Sequence, residues 1–158
     1  MISQLTVASY NVNGVLSPIK RSKVLSKMKK EGAEVLLLQE THMNDKEHEK
    51  LKRYGYNQEF SSSYGAGHRR GVCILISNRI SFEMLKTIKD AEGRYILVTG
   101  RLEGILVTLI NIYAPPGSDW AFFKHIFDLV TTESEGVLMG GTLTRGSTHG
   151  LTPLGKLN

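Results

Sequence analysis

Apolar residues fall in short runs along this chain, separated by polar joints punctuated with glycine and proline. The densest run is Val35-Leu36-Leu37-Leu38, which ends abruptly in Gln39-Glu40-Thr41-His42. Four consecutive aliphatic residues suit a strand buried on both faces. Glu40 then stands where that strand leaves the core. A carboxylate held there by a rigid sheet and facing a cleft can bind a hard cation such as Mg²⁺ through oxygen. The plain alternative is a solvated glutamate opening a loop.

Read in order, residues 5–10 predict a first strand, followed by the turn-prone cluster Asn11-Val12-Asn13-Gly14. Ser17 is placed to cap a helix, with Pro18 at its first position and Val24, Leu25 and Met28 as its apolar stripe. Gly32 stops that helix. Strand, helix and strand with short joints predict a parallel, right-handed crossover unit. Both strands of such a unit end at one edge, so Asn11, Asn13 and Glu40 converge.

Asn44 and Glu47 resemble a capping box that opens a short helix to about Leu51. Residues 54–56 read as a short strand, 61–71 as a Ser/Gly-rich loop ending in His68-Arg69-Arg70, and 72–77 as another apolar strand. Residues 82–88 read as extended, and 94–102 with 105–113 as a hairpin about Glu103-Gly104. Ser118 is placed to cap a helix bearing Phe123, Ile126, Phe127 and Val130, and 137–139 as a last short strand. Beyond Gly141 the pattern fades into a polar tail. Helices interleaved with parallel and hairpin strands predict a layered α/β sandwich.

Composition narrows this only slightly. The 158 residues suit one domain, and 41% apolar content is enough for a core. A net charge of +5 and a pI near 9.4 favour an anionic partner weakly. The lone Cys73 cannot form an internal disulfide and reads as a small buried hydrophobe, which fits the nucleus or cytoplasm. No run approaches the ~20 apolar residues that span a bilayer, and the N-terminus lacks a secretory pattern.

Three motifs occur in order: Tyr10-Asn11-Val12-Asn13-Gly14, Gln39-Glu40-Thr41-His42 and Asn111-Ile112-Tyr113-Ala114-Pro115. Together they resemble the endonuclease/exonuclease/phosphatase superfamily. The branch they most resemble is the apurinic-endonuclease-like, exonuclease III-like domain of LINE-type retrotransposon polyproteins. The Ile19-Lys20-Arg21 helix, the Gly71-Val72 strand start and Glu92-Gly93-Arg94-Tyr95 agree with that branch. The resemblance covers residues 5–141 and implies a four-layer α/β/β/α sandwich of the DNase I-like fold. It also implies hydrolysis of a DNA phosphodiester, double-stranded DNA as partner, and a divalent metal, Mg²⁺ or alternatively Mn²⁺.

Carried over residue by residue, Glu40 is the metal ligand, Asn11 holds metal-bound water or phosphate, and Asn13 is a weaker ligand candidate. Tyr113 contacts the scissile phosphate through its hydroxyl. Phosphate chemistry needs these types, because charge must be neutralised and a water positioned among polar donors. Taken singly, Asn11 and Asn13 are turn formers and Tyr113 a half-buried strand aromatic. In register with Glu40, the site reading prevails for Asn11 and Tyr113, while Asn13 stays between the two. Arg69 and Arg70 are the nucleic-acid-binding candidates, since guanidinium forks match phosphate geometry. The basic residues of the first helix read as a solvated face, and His42, His48 and His125 as surface or packing residues.

The match also fails in places. Where the family continues Gly140-Gly141 with Asp-x-Asn, this chain has Thr142, Leu143 and Thr144. Threonine has no accessible pKa for base work, and losing such a group commonly costs about 10² to 10⁴ in rate. The family's later Asp and Ser-Asp-His segment is absent too, and His149 lacks the preceding pattern. These departures predict impaired or lost hydrolysis, with a non-catalytic DNA-binding remnant, or a related phosphodiesterase acting on another phosphate ester, as the alternatives. They also predict an incomplete sandwich domain over 1–141, an irregular tail over 142–158, and self-association through an exposed apolar sheet face.

Overall fold

The structure, a computed structural model, describes residues 4–65, 67–144 and 152–157. Among these residues nine strands form two sheets. Strand β1 (Leu5–Asn11) leads through helix α1 (Pro18–Lys30) to β2 (Val35–Gln39). Helix α2 (Asp45–His48) runs into a 3₁₀ turn at Glu49–Leu51, before β3 (Tyr56–Ser62) and β4 (Val72–Ser77). The second half contains β5 (Phe82–Lys89), β6 (Tyr95–Leu102), β7 (Ile105–Ala114), helix α3 (Trp120–Glu133), β8 (Val137–Thr144) and β9 (Thr152–Leu157). One sheet has the order β3-β4-β2-β1-β9 and the other β5-β6-β7-β8.

Strands β1 and β2 are parallel, with Asn11 opposite Gln39 at their tips. The crossover helix between them is capped by the Ser17 side chain with Pro18 behind it. The capping box at Asn44 and Glu47 is complete. Helix α3 is capped by Asp119 rather than Ser118, whose hydroxyl donates to the Pro115 carbonyl at 2.6 Å. Two neighbouring residues with equal capping ability leave the choice to the turn geometry. The strand predicted at 54–56 begins at Tyr56, because Tyr54 and Gly55 are both left-handed and form a turn.

Side chains alternate across each strand, and the alternation builds three apolar layers. Val35, Leu37, Ile74, Ile76, Val98 and Leu109 fill the space between the sheets. Leu25 and Met28 of α1 cover Leu36, Leu38 and Leu75 on one outer face. Phe122 and Ile126 of α3 cover Tyr95 and Ala114 on the other. The result is an α/β/β/α sandwich. An apolar sheet face left bare was expected; instead the two inner faces cover each other. Among the described residues, the large exposed apolar side chains are concentrated on the outside of α3, at Trp120, Phe123 and Phe127, and at strand margins.

The tail also differs from expectation. Strand β8 runs on through Thr142 to Thr144, paired with Ile112 to Ala114, and residues 152–157 pair antiparallel with β1. Strand β9 lies at the edge of its sheet, the place in a sheet where a proline such as Pro153 is best tolerated. That pairing joins distant segments, so no local pattern announces it.

Candidate active site

Asn11 and Glu40 meet at the ends of the two parallel strands. The Asn11 Nδ2 donates to Glu40 Oε1 at 3.0 Å. Glu40 is only 7% exposed, so it is not a solvated loop glutamate. The remaining Asn11 atom is engaged as well, its Oδ1 accepting from the Asn13 backbone N–H at 3.0 Å. Asn13 is exposed in the left-handed region, with its carbonyl accepting from Lys20 Nζ at 3.0 Å. A lysine read as part of a solvated helix face is therefore turned back onto the site loop.

The loop carrying Glu40 is held by backbone on both sides. Gly14 N donates to Glu40 O at 2.7 Å and Val15 N to Thr41 O at 3.0 Å. Opposite, Thr41 N donates to Gly71 O at 3.1 Å and His42 N to Arg70 O at 2.8 Å. Glu40 and His42 both have positive φ, 52° and 57°, a conformation that non-glycine residues adopt at a cost of about 1–3 kcal/mol. His42 swings back so that its Nε2 lies 3.4 Å from Glu40 Oε2. Gly14 is required beneath it: at φ +88° a Cβ would come within 2.8 Å of His42 Nδ1.

Beneath the carboxylate a buried polar bolt joins the sheets. Gln39 Nε2 donates to Ser9 Oγ at 2.9 Å and to Asn111 Oδ1 at 2.7 Å. Asn111 Nδ2 donates to the Leu38 and Cys73 carbonyls, each at 2.9 Å. Both amides are fully buried. They stand within the resemblance motifs, yet neither was singled out as a site residue. Their buried position at apolar strand ends is the signal that could have found them.

Tyr113 lies two residues beyond Asn111 on β7, so both face the space between the sheets, and Tyr113 is buried in the core there. Arg69 and Arg70 sit on the loop that braces His42. Their guanidinium carbons lie 5.3 and 4.6 Å from the Tyr64 ring centroid. Arg70 also lies 3.8 Å from Glu92, and His68 lies 3.1 Å from Glu47. Thr142 and Thr144 extend the strand beside Ile112 and Ala114, while their side chains, and His149, lie outside the described residues.

Two histidines read as surface or packing residues prove specific. His48 is wholly buried, with Nε2 2.7 Å from Thr41 Oγ1 and Nδ1 3.0 Å from Ser63 Oγ. Burial pushes its pKa down to about 4, so the ring is neutral near pH 7. His125 lies against Tyr95, its Nε2 3.0 Å from the hydroxyl. Cys73 is buried, and burial, reinforced by Glu59, pushes its thiol well above the usual range, which leaves it inert.

Among the described residues, no three His, Cys, Asp or Glu side chains gather as metal ligands. What converges is one carboxylate, the Asn11 side-chain amide and the Asn13 backbone. Oxygen donors with few charges suit Mg²⁺, which keeps several waters and takes one or two protein carboxylates.

Residues 8–141 match the model of the Endonuclease/Exonuclease/phosphatase family. The chain belongs to this family. It is 28% identical over 145 residues to the transposon TX1 uncharacterized 149 kDa protein of Xenopus laevis, covering 87% of this chain and 11% of that protein. Among solved structures, the endonuclease domain of TRAS1, a telomere-specific non-LTR retrotransposon, superposes with a TM-score of 0.61 at 15% identity. That match covers 87% of this chain and 57% of the other. An AP endonuclease from Archaeoglobus fulgidus gives 0.62 at 21% identity, covering 87% and 56%. D. rerio TDP2 complexed with single strand DNA product gives 0.65 at 16%, covering 89% and 60%. The family member described here thus has a DNase I-like fold and spans little more than half the length of these structures.

Proposed function

We propose that this chain carries the metal- and phosphate-facing part of a DNA phosphodiesterase site whose hydrolytic step is impaired. The observation that supports it most is the 3.0 Å contact between Asn11 and Glu40 at adjacent parallel strand tips. It puts one buried carboxylate and one amide side by side where β1 and β2 end. The TX1 and TRAS1 relatives favour DNA as the polymer, and the Arg69–Arg70 loop beside His42 supplies cations for its backbone.

In this reading Glu40 holds Mg²⁺ (or Mn²⁺) through a carboxylate oxygen, with Asn11 Oδ1 and the exposed Asn13 as weaker oxygen donors. The metal, when bound, neutralises charge on the phosphate oxygens. Asn11 fixes the orientation of the Glu40 carboxylate through its amide. Tyr113 offers a hydroxyl from the β7 side toward the scissile phosphate. Lys20 adds a positive charge beside Asn13. Thr142 and Thr144 stand where the family places Asp and Asn, so no group there draws a proton from water.

Supercoiled-plasmid nicking tests the reading. Wild-type protein is expected to bind plasmid but nick it weakly, with the residual nicking lost on adding chelator and in Glu40→Ala. Thr142→Asp with Thr144→Asn is expected to raise metal-dependent nicking about tenfold or more. Nicking that ignores both chelator and Glu40→Ala would refute the assignment. Plasmid binding that persists with no nicking in any variant would favour the second reading, a DNA-binding remnant, for which the paired arginines stacked on Tyr64 are the specific support.

A further inference from the structure

The turn Glu40-Thr41-His42 is strained at both outer residues, and its backbone bonds alone do not fix the middle side chain. Thr41 is fully buried, and its hydroxyl faces His48 Nε2 at 2.7 Å. The other ring nitrogen is anchored by Ser63 Oγ at 3.0 Å, on the segment after β3. His48 itself is fixed by the α2 capping box, its backbone N–H donating to Asn44 O at 3.0 Å. Gly71 closes the arrangement: a Cβ there would collide with the Thr41 hydroxyl. Buried threonine and imidazole and a half-buried serine thus form one chain from the site turn to the opposite loop.

We propose that His48 is a positioning residue. Its ring clamps Thr41 and thereby keeps the strained turn that aims the Glu40 carboxylate at Asn11. This deepens, and rests on, the reading of Glu40 as metal ligand. A metal ligand's outer partners set its orientation, and their loss commonly lowers metal affinity about 10- to 100-fold. A ring satisfied on both nitrogens also fixes the tautomer, so the clamp holds one geometry.

Three variants of the full chain test it: Thr41→Val, which keeps shape but removes the hydroxyl; His48→Leu; and His48→Gln, whose amide reaches about as far as Nε2. The readouts are the Asn11 side-chain NH₂ signals in ¹⁵N NMR spectra, Mn²⁺ affinity by electron paramagnetic resonance, and thermal unfolding. Thr41→Val and His48→Leu are expected to move the Asn11 signals and weaken Mn²⁺ binding at least about tenfold, with His48→Gln restoring both. A merely structural role would lower the unfolding temperature and leave the Asn11 signals in place. Should His48→Leu fail to fold, Thr41→Val decides alone. A folded Thr41→Val with wild-type Asn11 signals overturns the proposal. If wild-type protein binds no Mn²⁺ while the Asn11 signals still follow Thr41 and His48, the clamp stands and the metal reading falls.

Discussion

His48 shows how one buried side chain ties stability to pH. Its pKa is about 4 in the fold against 6.5 when free, with burial as the main cause. Asp45 and Glu47 pull it upward and Lys89 pushes it downward, but burial outweighs them. Between those two values the unfolded chain binds a proton that the folded chain does not. Stability therefore falls as pH drops through this window, by about 3 kcal/mol at the acid end. Glu59 acts with the opposite sign. Burial raises its carboxyl above 4.5, so the folded chain holds that proton more readily and offsets part of the loss near pH 4. Urea unfolding at pH 7, 5.5 and 4 should show the decline, and His48→Gln should flatten it. An unchanged slope in that variant would assign the acid sensitivity elsewhere.

At the scale of elements, the two sheets are joined by more than apolar contact. Asn111 on β7 reaches the Leu38 and Cys73 carbonyls of β2 and β4 and also accepts from Gln39. Asn111→Leu would match the volume but orphan those buried groups, each worth about 1–3 kcal/mol. A loss of at least about 3 kcal/mol is expected in urea unfolding, with the largest rise in amide exchange at β2 and β7. A loss below 1 kcal/mol would show that the bolt is dispensable.

The same elements show what the sequence could and could not reveal. Helix α1, strands β1, β2 and β4 and the β6–β7 hairpin were legible because their signals are local: caps, aliphatic runs and a glycine turn. The Asn11–Glu40 meeting was legible because a short parallel crossover must bring two strand tips together. Gln39 and Asn111 were not singled out, because their partnership spans 72 residues and crosses between sheets. His48 was legible only as a surface or packing residue, because its bonds to Thr41 and Ser63 join segments that no local pattern links. Strand β9 was missed for the same reason as the bolt, since its partner β1 lies at the other end of the chain.

For the whole molecule, the fold brings Asn11 and Glu40 together at the β1 and β2 tips of a two-sheet sandwich, with Arg70 on the loop that braces His42. In the reading proposed above, Thr142 and Thr144 take the positions of the family's Asp and Asn. On that reading the division of labour is metal holding without efficient hydrolysis. Mn²⁺ titration of the wild-type chain, followed by electron paramagnetic resonance, tests that claim most directly. The account predicts a single saturable site that disappears in Glu40→Ala while the variant stays folded. A wild-type chain that binds no Mn²⁺, or a site that survives Glu40→Ala, would contradict it.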